Sequence, residues 1–250
     1  MVATFPERGT RQAGPNEFPS YATLVNIESP ACVTRIICSG TLITAAFVLT
    51  TANCISKNKI STTRIMLGKV KVYGLLDSNI HSIAWWKDYS NWALENTRLV
   101  EPHPQLNIAI IRLSKPVHIN EYVRPALVPF EMTFPKCQKI SVSLIGWAPT
   151  RGCEKILKTV PSKIQTLSSI KENCVPNYPN AWVAEGKVLL VENAVRLGVP
   201  DEGGPLLHNG NILMAINYGG ASPCNRRNRQ FHINSTYYED FLRYYMFGYE

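Results

Sequence analysis

Long apolar runs are missing from this chain of 250 residues. No stretch approaches the roughly 18 consecutive apolar residues that a membrane-spanning helix needs, which predicts a soluble domain without a membrane span. The first residues, Met1 to Pro6, contain no hydrophobic leader. If the protein is secreted, either its signal peptide has been removed or it is exported by another route, and the sequence leaves both alternatives open.

The chain also lacks repeats, low-complexity segments and metal-type cysteine pairs. No two of its seven cysteines have the C-x-x-C spacing of a zinc or redox site, and we expect neither a metal nor a cofactor. Scattered cysteines are typical of disulfides formed in an oxidising compartment, and the odd number leaves at least one thiol unpaired or linked to another chain. The cysteines are Cys32, Cys38, Cys54, Cys137, Cys153, Cys174 and Cys224.

Acidic residues are scarce relative to basic ones. Lys and Arg number 26 against 18 Asp and Glu, which gives a net charge of +8. Such an excess either aids solubility or attracts polyanions such as sulfated glycans. Two basic sets are candidates for polyanion contact, namely Arg226, Arg227 and Arg229 in a predicted surface loop, and Lys57, Lys59 and Arg64 after Cys54. An ordinary solvated face is the alternative for both sets, and we expect no nucleic-acid partner.

Short β-type runs with Gly, Pro, Asn and Asp between them are abundant, which predicts a sandwich or a barrel. The runs span residues 39–43, 47–50, 65–73, 108–113, 139–145, 187–191 and 212–216. A helix is predicted at the C-terminus, where four apolar or aromatic residues recur at i, i+3, i+4 and i+7. These are Tyr238, Phe241, Leu242 and Tyr245, and Thr236 to Glu239 before them match a capping box.

Three segments occur in a fixed order, from Cys38 to Cys54, from Asn107 to Leu113 and from Asp201 to Leu206. Together they resemble the trypsin/chymotrypsin family of serine proteases. Gly146-Trp147 and the C-terminal helix support the resemblance, which covers nearly the whole chain. The family implies an all-β fold of two six-stranded antiparallel β-barrels followed by a C-terminal α-helix.

The resemblance predicts a single domain over residues 13–247. Its first barrel spans about 18–124, its second about 136–234 and its helix 235–247, and the proline-rich stretch 125–135 is the predicted linker. The resemblance also implies a disulfide between Cys38 and Cys54. A bridge between Cys32 and Cys153 is a separate hypothesis, while the usual family partners of Cys174 and Cys224 are not cysteines here.

The family's catalytic positions align with residues that cannot perform its chemistry. Asn53 stands where the family has its histidine base, Asn107 where it has aspartate and Glu202 where it has the serine nucleophile. An amide cannot accept and return a proton near neutral pH, and a carboxylate is a weak nucleophile toward an amide. Pro200 aligns with a glycine whose backbone N–H stabilises the oxyanion, and proline has no N–H to give.

Other functional positions are also altered. The resemblance assigns Arg196, Asn217, Tyr218 and Gly219 to the specificity pocket. In the family, the aspartate before the nucleophile pairs with an amino terminus freed by cleavage. Asp201 holds that position here without a recognisable cleavage sequence. Another cation is a candidate partner, and Arg8, Arg11 and Arg196 are the residues considered.

The resemblance therefore implies an inactive serine protease homolog, secreted and acting by binding. Its partner would be a protein such as a protease, zymogen or receptor, with the chain serving as a cofactor or decoy; an acidic polysaccharide is the alternative partner. Asn234 begins an N-x-S/T triplet and is a possible glycosylation site. The aromatic stretch 85–92 is interpreted as packing within the first barrel, with a recognition loop as the alternative.

Overall fold

The computed structural model describes residues 9–28, 35–73, 79–96, 107–130, 140–149, 154–164, 188–192, 197–218 and 229–248. Fifteen strands make up about half of these residues. The strands are β1 (Arg11–Gln12), β2 (Tyr21–Asn26), β3 (Arg35–Leu42), β4 (Phe47–Thr50), β5 (Thr63–Leu67), β6 (Lys71–Tyr73), β7 (Ile80–His81), β8 (Ile83–Asp88), β9 (Ala109–Leu113), β10 (Ser141–Pro149), β11 (Glu154–Ile164), β12 (Val188–Glu192), β13 (Pro205–His208), β14 (Ile212–Asn217) and β15 (Arg229–Asn234). Three α-helices accompany them, α1 (Ala52–Ser56), α2 (Tyr89–Asn96) and α3 (Glu239–Phe247).

The first sheet contains seven antiparallel strands in the order β7-β5-β2-β3-β4-β9-β8. In the described residues the two end strands, β7 and β8, do not pair with each other. This half is therefore an open seven-stranded sheet, whereas a closed six-stranded barrel was predicted. The two-residue strand β7 extends the sheet beside β5, and β8 leads directly into helix α2. Buried side chains such as Leu24, Leu42 and Ile65 fill the space that the sheet encloses.

The second sheet closes on itself as predicted. Strands β11, β10, β13, β14, β15 and β12 form a six-stranded ring, because β12 pairs back with β11. Strands β1 and β6 add to β11 from outside this ring. Since β6 comes from the predicted range of the first barrel, the two halves are joined through the long strand β11.

Gly68 divides one of the predicted strands. The sequence predicts a continuous β run over 65–73, whereas β5 ends at Leu67 and β6 begins at Lys71. Gly68 has a φ of +67° and so turns the chain in a conformation that L-residues rarely adopt. The strand β5 therefore stays in the first sheet, and β6 reaches the second.

The C-terminal helix packs where the sequence predicts. Phe241, Leu242 and Tyr245 are buried, and Tyr245 lies with its ring centroid 5.8 Å from that of Phe47 in β4. The predicted capping box is wrong. A 3₁₀ turn over Ser235–Tyr238 comes first, and Asn234 caps this turn by accepting a hydrogen bond from the backbone N–H of Thr236.

The aromatic stretch 85–92 packs not only within the first sheet, as predicted, but also against the C-terminal helix. Trp92 is buried, and its ring lies 5.3 Å from Phe241 of helix α3, measured between centroids. Trp85 contacts Phe47 and Tyr245 in the same way. None of the helices in the described ranges is both long enough and apolar enough to cross a membrane.

Candidate functional site

Asn53 and Asn107 meet at the start of the short helix α1. The side chain of Thr51 caps this helix by accepting a hydrogen bond from the Cys54 N–H, which fixes the first turn. The Asn53 N–H then donates to Oδ1 of Asn107 at 2.8 Å. Asn107 is buried just before strand β9, so its amide is held in one orientation with Nδ2 on the opposite side.

Glu202 completes this group from the second half of the chain. Its Oε1 accepts a hydrogen bond from Thr51 Oγ1 at 3.0 Å and a longer one from Asn107 Nδ2 at 3.4 Å. Only 5% of Glu202 is exposed. The structure thus brings together Asn53, Asn107 and Glu202. Among the described residues, the donors to the carboxylate are a hydroxyl and an amide, and none of them is a basic group.

Pro200 lies two residues before Glu202, in the 3₁₀ segment Val199–Asp201. Its carbonyl accepts a hydrogen bond from Ser39 Oγ at 2.8 Å, and Ser39 Oγ is 2.6 Å from the hydroxyl of Tyr21. The Ser39 N–H also donates to the carbonyl of Glu202 at 2.8 Å. Strand β3 therefore holds the carbonyls of both Pro200 and Glu202.

Asp201 is buried between these residues, with 2% of its surface exposed. Its two carboxylate oxygens accept hydrogen bonds from the backbone N–H groups of Trp147 and Gly198, each at 2.7 Å. Burial raises the pKa of Asp201 to about 7, although these two hydrogen bonds act to lower it. Arg11 is not its partner, because that side chain pairs with Glu17 at the surface. Arg8 and Arg196 lie outside the described residues.

Gly203 allows the two halves to approach closely. Its φ is +82°, and a Cβ atom there would lie 2.3 Å from Thr50 Oγ1 and 2.4 Å from the Ser39 carbonyl oxygen. Both distances are far below van der Waals contact, so only glycine fits. The Gly203 N–H donates to the carbonyl of Asn217, and Asn217 Nδ2 donates to the carbonyl of Asp201.

The predicted pocket residues are only partly within the described chain. Asn217 is buried and holds the 199–203 turn, as just noted, and the carbonyl of Tyr218 accepts a hydrogen bond from Asn107 Nδ2 at 3.2 Å. Arg196 and Gly219 lie outside the described residues. The assignment of these four residues to a pocket therefore stays a prediction.

The predicted disulfide between Cys38 and Cys54 is present and links β3 to helix α1. The two sulfur atoms lie close to the Glu202 carboxylate, but both are used in the disulfide, so this group does not offer thiolate ligands to a metal. The cysteines at 32, 137, 153, 174 and 224 lie outside the described residues.

The predicted basic sets fare differently. Lys57 and Lys59 are exposed, and Arg64 Nη1 donates to the carbonyls of Ile60, Ser61 and Thr63. Arg229 begins strand β15 opposite Glu192 and so does not belong to a loop, while Arg226 and Arg227 lie outside the described residues. The possible glycosylation site, Asn234, is half-buried and caps the turn before α3.

Histidine does not supply a base to the site within the described chain. His81 and His118 lie on strand β7 and on the loop after β9, and His208 Nδ1 contacts the carbonyl oxygen of Ser141. His232 is fully buried on β15, where burial lowers its pKa to about 3. None of these four contacts a serine or threonine hydroxyl.

Two antiparallel sheets, one of them closed into a barrel, with a short C-terminal helix, define a chymotrypsin-like fold. The trypsin family model matches residues 7–242, and the chain belongs to this family. Kallikrein 1-related peptidase b27 of Mus musculus is 30% identical over 210 residues, covering 78% of this chain and 74% of the relative. Snake venom serine protease KN3 of Trimeresurus stejnegeri is 28% identical over 204 residues, covering 75% and 68%.

Solved structures give the same fold. Human heparin binding protein superposes with a TM-score of 0.67 at 19% sequence identity, over 94% of each chain. HL collagenase superposes with a TM-score of 0.68 at 18% identity, over 96% of this chain and 97% of its own. At these identities the likeness concerns the fold alone.

The sequence does not predict that Tyr21, Ser39 and Thr51 take part in the site. Each is a common buried residue on or beside a strand. Their hydrogen-bond partners, Ser39, Pro200 and Glu202 respectively, are distant in the sequence. No local pattern marks such contacts.

Proposed function

We propose that this member of the trypsin family does not hydrolyse peptide bonds and acts as a secreted binding or regulatory protein. The hydrogen-bonded group of Asn53, Asn107 and Glu202 is the observation that supports it most directly. Family chemistry requires a hydroxyl nucleophile within reach of a base that titrates near neutral pH. The aligned positions offer two amides and a carboxylate.

The nearest substitute pair would be Thr51 and Glu202, since a hydroxyl there donates to a carboxylate at 3.0 Å. A hydroxyl beside a base is the general arrangement of an activated nucleophile. However, Thr51 is fully buried and its oxygen also accepts the capping hydrogen bond from Cys54. A substrate carbonyl has no access to this oxygen, so the pair supports a structural role.

Peptide hydrolysis is tested with fluorogenic substrates that carry basic, aromatic or small residues before the scissile bond. The wild-type chain should give no turnover above buffer. Glu202→Gln is the matched control, because a contaminating protease would give the same trace rate in both preparations. Turnover by the wild type that disappears in Glu202→Gln would contradict the proposal.

The proposed binding role follows from a chain that keeps the fold of the family without its proposed catalytic groups. A cofactor or decoy would bind an active protease or its zymogen, and the disulfide and the venom relative favour an extracellular setting. Affinity capture from extracellular fluid, followed by assay of the purified captured protease with and without the chain, tests this role. A captured protease whose rate does not change would count against a cofactor role.

A polyanion is the second candidate partner, and the loop after helix α1 favours it. Lys57, Lys59 and Arg64 lack an acidic partner in the described ranges. The loop is braced, since Arg64 Nη1 bonds three carbonyls and Asn58 Nδ2 bonds the carbonyl of Cys54. Its cations are therefore unpaired and held on an ordered segment, which suits a sulfated polysaccharide.

A heparin column tests this candidate with charge-matched variants. Lys57→Gln/Lys59→Gln should elute at lower salt than the wild type, because a protein with fewer cationic contacts releases fewer counterions from heparin when it binds. Lys115→Gln/Lys163→Gln removes the same charge from other exposed positions and should elute close to the wild type. Equal elution of the two double variants would show that only net charge matters.

A further inference from the structure

Ser39 uses all of its polar groups to join strand β3 to the site. Its N–H donates to the Glu202 carbonyl and its Oγ donates to the Pro200 carbonyl, both at 2.8 Å. Its own carbonyl accepts from Thr50 Oγ1 at 2.8 Å. The residue is fully buried, so water does not compete for any of these bonds.

The direction of the hydrogen bonds follows from the acceptor at the end of the chain. A carbonyl oxygen can only accept, so the single hydroxyl hydrogen of Ser39 is committed to Pro200. Tyr21, at 2.6 Å from Ser39 Oγ, must therefore be the donor of that pair. Burial and the nearby charge of Asp201 raise the pKa of Tyr21, which keeps its hydroxyl protonated.

No cation from the described ranges takes part in this arrangement. The Asp201 carboxylate, which lies within the same turn, bonds the backbone N–H groups of Trp147 and Gly198. No ion pair to Asp201 occurs among the described residues, and Arg11, the one described candidate, is paired with Glu17. The donors that order the turn within the described part of the chain are all neutral.

We propose that Tyr21 and Ser39 are positioning residues that form an uncharged relay to Pro200 and hold the 199–203 turn in place without a cation on Asp201. This inference goes beyond the proposed function, because it concerns the order of the turn and holds whether or not the site is inactive.

Amide hydrogen exchange of the full-length protein tests the relay. Ser39→Ala should speed exchange at Asp201, Gly203 and Gly204 by about fivefold, which is the effect of losing one neutral hydrogen bond. The Leu213 amide, which donates to the Leu127 carbonyl elsewhere in the second half, serves as the internal reference and should not change. Thr41→Val is the matched control, because Thr41 lies on the same strand and its buried hydroxyl has no hydrogen-bond partner.

Tyr21→Phe provides the second variant and keeps the edge-on ring contact with Trp147. It should speed exchange of the same amides, and Ser39→Ala/Tyr21→Phe should exchange no faster than Ser39→Ala, because Tyr21 acts through Ser39. If Ser39→Ala does not fold, the exchange rates of Tyr21→Phe alone still test the relay. Exchange in either single variant equal to that of Thr41→Val would overturn the relay, and so would independent effects that multiply in the double variant.

Removal of the candidate cations tests their absence, because salt hardly screens an ion pair to a carboxylate as buried as Asp201. Exchange of the Asp201, Gly203 and Gly204 amides in Arg8→Gln and in Arg196→Gln should equal that of the wild type. A selective increase of these three rates in either variant would show that an ion pair orders the turn. That result would overturn the uncharged relay and leave the assay of catalysis unaffected.

Discussion

The backbone N–H of Asn53 donates a hydrogen bond to Oδ1 of Asn107 over 2.8 Å. This bond sets the orientation of the Asn107 amide and points Nδ2 at two acceptors, Oε1 of Glu202 and the carbonyl of Tyr218. The Asn107 amide is therefore complementary to the Glu202 carboxylate, since Nδ2 supplies the donor that Oε1 accepts. A carboxylate at position 107 would instead place two acceptors against each other.

Asn107→Asp should destabilise the fold for this reason. It would replace the Nδ2 donor by a carboxylate oxygen near the Glu202 carboxylate in a buried place, and we expect the free energy of unfolding to fall by about 2 kcal/mol at pH 7. Chemical denaturation measures it. Asn107→Asp/Glu202→Gln should recover most of the loss, because the glutamine amide can donate to the new carboxylate. Wild-type stability of Asn107→Asp would contradict the proposed complementarity.

The Thr51 hydroxyl accepts the hydrogen bond from the Cys54 N–H, and its own hydrogen has two acceptors at 3.0 Å, Glu202 Oε1 and Cys54 Sγ. Thr51→Val removes both the helix cap to Cys54 and the donor to Glu202, and it should lower the free energy of unfolding by about 2 kcal/mol. Thr63→Val is the control, because the buried Thr63 hydroxyl has no hydrogen-bond partner. Thermal denaturation should show that Thr63→Val is neutral or stabilising. Equal losses of stability in the two variants would mean that replacing a buried hydroxyl by a methyl group, rather than losing the hydrogen bonds of Thr51, causes the effect.

Close approach at Gly203 is separable from its backbone conformation. Gly203→Ala would place a Cβ atom 2.3 Å from Thr50 Oγ1, whereas Gly210, with φ +78°, has no heavy atom nearer than 3.9 Å to such a Cβ. We expect Gly210→Ala to cost about 1 kcal/mol from strain alone, and Gly203→Ala to cost several times more or to prevent folding. Denaturant unfolding, with expression level as a second readout, measures both. Similar costs would show that the turn can move away from β3.

Much of the fold could be predicted because its signals are local. The run at 47–50, the stripe of Phe241, Leu242 and Tyr245, and the family spacing of Cys38 and Cys54 each correspond to an observed element. The break at Gly68 was missed, since one glycine in an alternating run does not reveal its φ. The cap at Asn234 was missed because Asn, Ser and Thr follow one another there, and each of them is a good cap.

The site was predictable in position but only partly in contacts. Aligned motifs identify Asn53, Asn107 and Glu202 as neighbours, and the structure brings them together. Ser39 and Pro200 are 161 residues apart, and their bond depends on how β3 of the first sheet meets the second half. Such a contact leaves no periodic signal in the sequence.

Two buried groups should give opposite pH dependences. The folded-state pKa of His232, about 3, lies below its ordinary value of 6.5, so acidification from pH 6.5 toward 3 favours the unfolded state, which binds the proton. The folded-state pKa of Asp201, about 7, lies above its ordinary value of 3.8, so acidification from pH 7 toward 4 favours the folded state. The two contributions largely cancel between pH 6.5 and 4.

Variants expose each contribution separately. His232→Gln should gain stability relative to pH 7 as the pH falls toward 4, because the opposing contribution of His232 is removed and that of Asp201 remains. Asp201→Asn should lose stability from pH 6.5 downward, with a slope of at most about 1.4 kcal/mol per pH unit. Urea unfolding at half-unit pH intervals measures both slopes. Parallel profiles for the two variants would contradict the assignment.

Covalent capture of the nucleophile position is the most direct test of the central claim. Wild-type protein and an active kallikrein are incubated with a fluorophosphonate probe, and intact mass is measured before and after. The kallikrein should gain one probe mass, whereas the proposed lack of catalysis predicts that this chain keeps its mass. A stoichiometric mass gain that maps to a serine or threonine of this chain would contradict the account.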